Sequence, residues 1–405
     1  MSSSSSSSYC WWPNHITVWT ILRVTLLSVA ALVSWHALND PDFVPKIMDG
    51  GGWRYFARWM GRCIRDPPET PFAQDDQNIL FIGNSYTGYY ELDQLTQAVM
   101  VNGQQQQQQR QTEDPTSASS SSSPWDTATI NVESHFPGGQ TFQGHWKGLT
   151  RPPFLGKHHV MHKWLVSNAD IRHWKWIFLQ NHSLQGGMYQ SPDSKRQETY
   201  QQSLQAAQEM IQVIRQHNPS AQFCFFMTWG RRKWYRGIPK EYKDFLTMQD
   251  LTAQGYQHYV HATSNEQQQQ TYLAPVGLVF ATIYRDDAAA AGNKDPSQDP
   301  TTLFYQLLDY EGHHPALPGS YAAAVTFYET LTGKDATQLT WAPPKGVTHE
   351  QAVRIREAVH RTIQDTARQG IIRYPWQEQT TNKAEESTIT ATTKTEESSN
   401  KNNNP

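Results

Sequence analysis

The sequence has little net charge and few cysteines. The low charge restricts what it can bind. Its 405 residues include 34 Lys and Arg against 37 Asp and Glu, a formal net charge of −3 at pH 7. No basic stripe of the kind that follows a nucleic-acid backbone is present, so we expect no nucleic-acid partner. The cysteines leave the redox compartment open, because Cys10 precedes an apolar run, Cys224 lies in a predicted core strand and Cys63 has no obvious partner.

A long uninterrupted apolar run is also missing. Residues 16–38 are largely apolar, but Arg23 interrupts them, and their cleanest part at 24–35 is shorter than a comfortable bilayer span. We predict a transmembrane signal-anchor or a signal peptide at 16–38, with the anchor favoured because no small-x-small cleavage site is evident. The protein is then a single-pass membrane protein of the secretory pathway or a secreted one, with a disordered N-terminus at 1–15 and a linker at 39–77.

Polar low-complexity tracts divide the rest of the chain. Such tracts bury little apolar surface, and they occur at 2–8, 104–109, 117–123, 267–270 and from 377 onward. Without them about 300 residues remain, which is enough for one α/β domain with insertions. We predict this domain at 78–376, with insertions at 103–124 and 264–270 and a disordered tail at 377–405.

The domain begins with an apolar run that ends in a tight polar turn. Residues 79–82 read Ile-Leu-Phe-Ile, which indicates a buried parallel strand, and Gly83-Asn84-Ser85 follows directly. Ligands of open α/β sheets bind outside the carboxyl ends of the strands, so Ser85 lies at the mouth of the expected crevice. Apolar residues at helical spacing from Leu92 onward place Ser85 at a helix start, where it could also be a simple N-cap.

Strands and helices alternate through the rest of the domain. Further strands are predicted at 127–132, 174–180, 223–228 and 274–281, and helices at 200–214, 248–260, 320–331 and 348–369. Thr348 and Gln351 form a capping box at the start of the last helix. This alternation predicts an α/β fold with a parallel sheet covered by helices on both faces.

A second polar cluster lies before the helix predicted at 320–331. Residues 309–314 read Asp-Tyr-Glu-Gly-His-His. A serine nucleophile needs a base to take its proton and a carboxylate to fix the tautomer of that base. Glu311 precedes His314 by three residues with Gly312 between them, so the two side chains can meet within one turn. Either histidine of the segment could instead be a surface or core residue.

The order of these motifs resembles the SGNH (GDSL-like) hydrolase superfamily. Gly83-Asn84-Ser85, Gly138-Gly139 and Glu311-x-x-His314-Pro315 occur in the order of its conserved blocks, within a similarity that covers 78–332. The resemblance implies a three-layer α/β/α flavodoxin-like SGNH hydrolase fold with a five-stranded parallel sheet. It also implies a serine esterase, a carboxylic ester hydrolase that cleaves short acyl esters such as glycan O-acetyl groups through an acyl-serine intermediate. No metal or other cofactor is implied, and the partner is a small-molecule or glycan ester.

The resemblance assigns a role to each motif residue. Ser85 is the nucleophile, His314 the general base and then the acid, and Glu311 the orienting carboxylate. The backbone N–H groups of Ser85 and Gly139 point at the oxyanion. Because the family usually has Asp at the position of Glu311, Asp309 stays a rival for the third role.

The third block departs from the family pattern. Where the family commonly has Gly-x-Asn-Asp, this chain has Gln180-Asn181-His182-Ser183, and either Gln180 or Asn181 could donate a side-chain N–H to the oxyanion. The same string is an N-glycosylation sequon. If Asn181 faces the cleft, a glycan would block the site, so we expect no modification there.

Several alternatives stay open or are disfavoured. A glycan O-acyltransferase, or a catalytically inactive glycan- or lipid-binding module, would use the same fold. The nucleophile elbow G-x-S-x-G of α/β-hydrolases is absent, since Tyr86-Thr87-Gly88 follows Ser85. We expect a solvated loop rather than a metal site at the histidines His158, His159 and His162. An anionic substrate group or a solvated loop is expected at the basic residues Arg231, Arg232 and Lys233.

Overall fold

The computed structural model describes residues 71–113, 125–150, 159–167, 169–233, 238–264 and 270–378. The predicted N-terminus at 1–15, the apolar segment at 16–38 and nearly all of the tail at 377–405 lie outside the described residues, as does most of the linker. Within the described ranges, no helix combines the length and the apolar character that crossing a membrane requires.

Five parallel strands form one sheet at the centre of the domain. They are β1 (Gln77–Ile82), β2 (Ile130–His135), β3 (Trp176–Leu179), β4 (Gln222–Phe226) and β5 (Thr271–Ala274), in the order β2-β1-β3-β4-β5. This is the flavodoxin-like order, whose switch point lies between β1 and β3. The predicted fold class is therefore confirmed, and the carboxyl end of β1 opens at the place where such sheets bind ligands.

Eight helices carry the labels used below. They are α1 (Ser85–Gly88), α2 (Leu92–Glu113), α3 (Phe142–Thr150), α4 (Ser194–His217), α5 (Phe245–Thr263), α6 (Val276–Ala290), α7 (Leu317–Thr332) and α8 (His349–Arg368). Short helical turns also lie at His159–His162, Ala169–Arg172 and Leu303–Gln306. The predicted capping box of Thr348 and Gln351 is confirmed at the start of α8.

Neighbouring residues of β4 show that helices cover both faces of the sheet. Side chains alternate between the faces of a strand. Phe226 packs against Phe327 of α7, whereas Phe225 packs against Phe142 of α3 and Tyr259 of α5. The two faces are thus buried under different helices, which gives three layers.

The strand predicted at 274–281 is wrong over most of its length. Thr271–Ala274 forms β5, and Val276–Ala290 is helix α6. Pro275 separates them, and proline cannot donate to a strand ladder. A short apolar run fits a buried strand and a buried helix equally well, so periodicity alone could not decide.

The first part of the predicted insertion at 103–124 is helical, because α2 continues through the glutamine tract to Glu113. Glutamine is a good helix former. Gln104 and Gln108 lie one turn apart on the same face, and their amides donate to the carbonyl oxygens of Ala128 (2.9 Å) and Asp126 (2.7 Å). These bonds attach the tract to the segment that leads into β2.

Candidate active site

The turn after β1 fixes Ser85 at the carboxyl edge of the sheet. A Cβ on Gly83 would lie 2.2 Å from Thr87 Oγ1 and 2.6 Å from Gln180 Oε1, so only glycine fits there. Asn84 caps the single-turn helix α1 by accepting from the Tyr86 N–H at 3.1 Å, and its amide donates to the Gln140 carbonyl at 3.0 Å. Ser85 therefore begins a helix as predicted, but that helix is only one turn long.

Ser85, His314 and Glu311 form a continuous hydrogen-bonded chain. His314 Nε2 lies 2.9 Å from Ser85 Oγ, and His314 Nδ1 lies 2.9 Å from Glu311 Oε2. A base within hydrogen-bond reach of the nucleophile, oriented by a carboxylate on its other nitrogen, is the arrangement that activates a serine. The structure thus brings together residues separated by more than two hundred positions in the chain.

Asp309 occupies a supporting position in the same loop. Its Oδ2 lies 3.7 Å from His314 Nδ1, beyond hydrogen-bond distance, while its Oδ1 accepts from the backbone N–H groups of Gly312 (3.0 Å) and His313 (3.4 Å). Gly312 has a φ of +77°, which glycine adopts without strain. Glu311 therefore binds the imidazole directly, and Asp309 shapes the loop and adds negative charge nearby.

The surroundings of His314 and His313 shift the pKa values of the two histidines in opposite directions. Burial opposes charging of His314, but the Asp309 and Glu311 carboxylates outweigh burial and raise the pKa of His314 above its usual value. The hydrogen bond from His314 in turn lowers the pKa of Glu311. Burial, His314 and Arg231 lower the pKa of His313 to about 4. His314 is thus poised to accept a proton, and His313 stays neutral.

Aromatic rings hold the His314 imidazole in place. Tyr89 stacks on His314 with ring centroids 4.4 Å apart and planes 6° from parallel. Tyr90 and Glu91, which follow it, both have positive φ, 51° and 53°, an uncommon conformation outside glycine. On the other side, the indole N–H of Trp229 donates to the His313 carbonyl at 2.9 Å. These contacts restrict the His314 ring to the orientation that meets Ser85.

A cavity of about 350 Å³ opens in front of Ser85 and His314. Gly138, Gly139, His182, Ser183 and Arg231 line it together with residues named above. Gly139 has a φ of +64°, and a Cβ there would meet nothing within 4 Å, so its backbone borders open space. Within the described part of the chain, the backbone N–H groups of Ser85 and Gly139 have no hydrogen-bond acceptor. Both remain available to a ligand.

The side chains of Gln180 and Asn181 do not point their amides into this cavity, which corrects the expectation that one of them serves the oxyanion. Gln180 Nε2 donates to the Asn181 carbonyl, while its Oε1 accepts from the Asn84 N–H (2.9 Å) and from Thr87 Oγ1 (3.1 Å). Asn181 Nδ2 donates to Ser203 Oγ (2.7 Å) and to the Tyr259 hydroxyl (3.1 Å). Both side chains are buried, and that of Gln180 holds the turn around Ser85 in shape.

Among the described residues, two groups bring metal-ligating atoms close together. Glu311, His313 and His314 are one group, and their atoms belong to the hydrogen-bonded site described above. The other is Glu329, Asp335 and His360, in which His360 Nδ1 lies 2.8 Å from Glu329 and 3.2 Å from Asp335. Mutual hydrogen bonding accounts for both groups. Of the three histidines considered in the sequence, His162 approaches Ser167 Oγ at 3.2 Å, and the side chains of His158 and His159 lie outside the described residues.

Tyr89 and His182 are cavity residues that the sequence did not single out. Tyr89 lies four residues after Ser85, the spacing that places two side chains on one helix face, and this spacing could have indicated it. His182 directly follows the third block, and burial together with the Arg231 charge lowers its pKa to about 4. Its neutral ring adds a polar wall to the cavity.

Similar solved structures include SGNH-type proteins. A DUF4886 family protein from Bacteroides uniformis is 16% identical over 71% of this chain and 95% of its own, with a TM-score of 0.48. A protein from Slackia heliotrinireducens, proposed to be an SGNH hydrolase, is 16% identical over 64% and 100%, with a TM-score of 0.38. A mutant acetylxylan esterase from Geobacillus stearothermophilus is 11% identical over 62% and 92%, with a TM-score of 0.31. No family model matches the sequence, and no curated protein matches it either.

Proposed function

We propose that this protein is a serine esterase of the SGNH type that cleaves carboxylic esters through an acyl-serine intermediate. The observation that carries the proposal is the unbroken chain from Ser85 Oγ to His314 to Glu311, with 2.9 Å at each step. A module that only binds glycan or lipid has no need for an aligned base and carboxylate. These hydrogen bonds therefore favour an enzyme over that alternative.

The geometry supports a mechanism in two halves. His314 Nε2 takes the proton as Ser85 Oγ attacks the ester carbonyl, and Glu311 stabilises the imidazolium that forms. The N–H groups of Ser85 and Gly139 then face the developing oxyanion, where one such donor can contribute about 3 kcal/mol. His314 returns its proton to the departing alcohol. Water, deprotonated by His314, attacks the acyl-serine. The bond between the acyl carbon and Ser85 Oγ then breaks, the carboxylic acid leaves, and His314 returns the proton to Ser85 Oγ.

The size of the cavity supports a short acyl group. Ligand pockets range from about 300 to 1,000 Å³, and the cavity here, at about 350 Å³, lies at the small end. Glycan O-acetyl esters are the substrate class that we propose to test first. If a glycan hydroxyl replaces water at the acyl-serine, the same site becomes a glycan O-acyltransferase.

The test uses a fluorophosphonate probe and 4-nitrophenyl acetate on the full-length protein. Ser85→Ala should abolish labelling and hydrolysis together, whereas Ser194→Ala, the same change at an exposed serine, should alter neither. Labelling that survives in folded Ser85→Ala, or an unlabelled folded wild type, would refute the proposal. Added sugar acceptors then separate hydrolysis from transfer, since an acyltransferase would yield acylated sugar faster than free acid.

Targeting to the secretory pathway, with a retained anchor or a cleaved signal, is a separate proposal supported by the apolar residues 16–38. Carbonate extraction of cell membranes tests it. Retention in the pellet indicates an anchor, release to the medium with a shortened N-terminus indicates a cleaved signal, and a full-length protein in the cytosolic fraction refutes targeting.

A further inference from the structure

We propose that Arg231 makes part of the cavity an anion-binding subsite, so that the preferred ester carries a carboxylate close to the scissile bond. This inference rests on the proposed esterase function and adds the chemical class of its substrate. Arg231 lines the same cavity as Ser85 and His314. Its guanidinium therefore reaches a ligand that the catalytic residues also reach.

The backbone around Arg231 is held rigidly at the carboxyl end of β4. The preceding Gly230 donates its N–H to Gln249 Oε1 at 2.9 Å, and a Cβ on Gly230 would lie 2.6 Å from the Phe245 carbonyl. The Arg231 N–H approaches Met248 Sδ at 3.3 Å. Because α5 fixes this segment, little backbone entropy remains to be lost when a ligand binds.

The side chain of Arg231 is also oriented before any ligand arrives. It is only 8% exposed, and its Nη2 donates to Ser183 Oγ at 3.2 Å. Ser183 follows β3 and lines the cavity as well. A guanidinium held at a cavity wall presents its planar set of N–H donors in a fixed direction, which suits the two oxygens of a carboxylate.

The neighbouring Arg232 shows by contrast what a structural arginine does in this segment. Its Nη1 and Nη2 donate to the backbone carbonyls of Tyr305 (3.1 Å) and Asp309 (2.6 Å), and its guanidinium lies 3.4 Å from the centre of the Tyr305 ring. These bonds fasten the loop that carries the catalytic carboxylates, and Arg232 does not line the cavity in front of Ser85. The two adjacent arginines thus have different contacts. Both are buried, and neither is part of a solvated loop.

The charge of the cavity wall is positive. His182 and His313 line the cavity and are neutral near pH 7, since burial and the Arg231 charge contribute to a pKa of about 4 for each. The Glu311 carboxylate contacts His314 on the nitrogen that faces away from Ser85. Among the described lining residues, Arg231 therefore carries the permanent charge. A carboxylate in the cavity would receive charge-assisted hydrogen bonds from this guanidinium.

The carboxylate can belong to either half of the ester, and two substrate pairs distinguish these sources. In 4-nitrophenyl hydrogen succinate the charge is on the acyl side, and its methyl ester is the neutral partner. In 3-acetoxybenzoate the charge is on the alcohol side, and methyl 3-acetoxybenzoate is the neutral partner. The acidic member of at least one pair should be cleaved with a kcat/KM at least about tenfold higher, as expected for a hydrogen bond between charged groups.

Variants at position 231 test the assignment. Arg231→Gln should lower kcat/KM for the preferred acidic ester about 10- to 100-fold and change the neutral partner less than about threefold. Arg231→Lys should retain part of the preference, and added salt should reduce it in the wild type. Arg285→Gln, the same change at an exposed arginine, should leave all rates unaltered. Equal cleavage of acidic and neutral partners, or an equal loss on both in folded Arg231→Gln, would overturn the subsite.

A binding measurement keeps the subsite testable without turnover. In the Ser85→Ala background the esters bind but are not expected to react, and calorimetric titration gives their affinities. Adding Arg231→Gln should weaken the acidic ester about 10-fold or more and leave its neutral partner unchanged. Unchanged affinity for the acidic ester refutes the subsite. Absence of fluorophosphonate labelling in the wild type refutes the proposed esterase function instead. Failure of the subsite and failure of the esterase function are therefore distinguishable.

Discussion

Replacing Glu311 with Gln separates the roles of the two carboxylates beside His314. The variant loses a hydrogen bond to a charged acceptor, worth about 1.5–3 kcal/mol or about 10- to 150-fold in rate. Asp309 stays 3.7 Å from His314 Nδ1, against 2.9 Å for Glu311. By distance alone, its Coulomb attraction to the imidazolium is about three quarters of that of Glu311. Its side chain is also less exposed, 14% against 37%, so water screens its charge less. Glu311→Gln should therefore lower kcat about 10- to 100-fold, short of the roughly 10⁴-fold loss known for a triad that has a single carboxylate.

The matched variant is Asp309→Asn, whose side-chain oxygen can still accept from the Gly312 and His313 N–H groups. It should cost less than about 10-fold, because the direct partner of His314 is untouched. The double variant should lose about 10³- to 10⁴-fold, more than the product of the single losses, since each carboxylate covers for the other. Hydrolysis of 4-nitrophenyl acetate, with circular dichroism to confirm folding, supplies the numbers. If Asp309→Asn alone removes nearly all turnover while Glu311→Gln removes little, then Asp309 is the triad acid and the argument from distance fails.

Three further predictions follow from the same geometry. The rate should fall as pH drops through the raised pKa of His314, because the base must be neutral. In Glu311→Gln this fall in kcat/KM should occur at lower pH. A fall at an unchanged pH would assign it to another group. Tyr89→Leu should lower kcat about fivefold with little change in KM, since a stacked pair contributes about 1 kcal/mol, and Tyr89→Phe should restore the rate; equal losses in both variants would contradict a role for the stacked ring. Gly83→Ala should destabilise the protein in urea by more than the roughly 1–2 kcal/mol expected for Gly139→Ala, because the first adds a clash and the second only unfavourable φ; the reverse order would contradict the tight turn.

The sequence was sufficient to predict the central strands of the sheet because buried parallel strands leave a simple signal. Residues 79–82 and 223–226 are continuous apolar runs, and both lie in strands of the sheet. The run after Pro275 carried the same signal and forms a helix, since apolar character reports burial and not backbone geometry. The glutamine tract left its backbone conformation open, because its polar side chains give no periodicity although its helix propensity is high.

The site was predictable where its chemistry is local and less so where it depends on tertiary contacts. Glu311 and His314 meet within one loop, so spacing alone allowed that pairing. Choosing between Glu311 and Asp309 required the loop conformation, in which two backbone N–H groups engage Asp309. The stacking of Tyr89 on His314 joins residues from distant parts of the chain, and a sequence without coordinates gives no measure of that distance.

The Gln180 and Asn181 side chains at the carboxyl end of β3 do not reach the cavity, and that of Gln180 supports the turn that carries Ser85. Gln180 fixes the Asn84 backbone and the Thr87 hydroxyl, and Asn181 is tied to Ser203 and Tyr259, so moving either amide toward the cavity would break buried hydrogen bonds. The sequon residue Asn181 is buried in the folded protein and does not line the cavity. In the proposed mechanism, oxyanion stabilisation then falls on the N–H groups of Ser85 and Gly139. In that mechanism, the open space beside Gly139 lets a substrate carbonyl approach this backbone closely enough to be held by it.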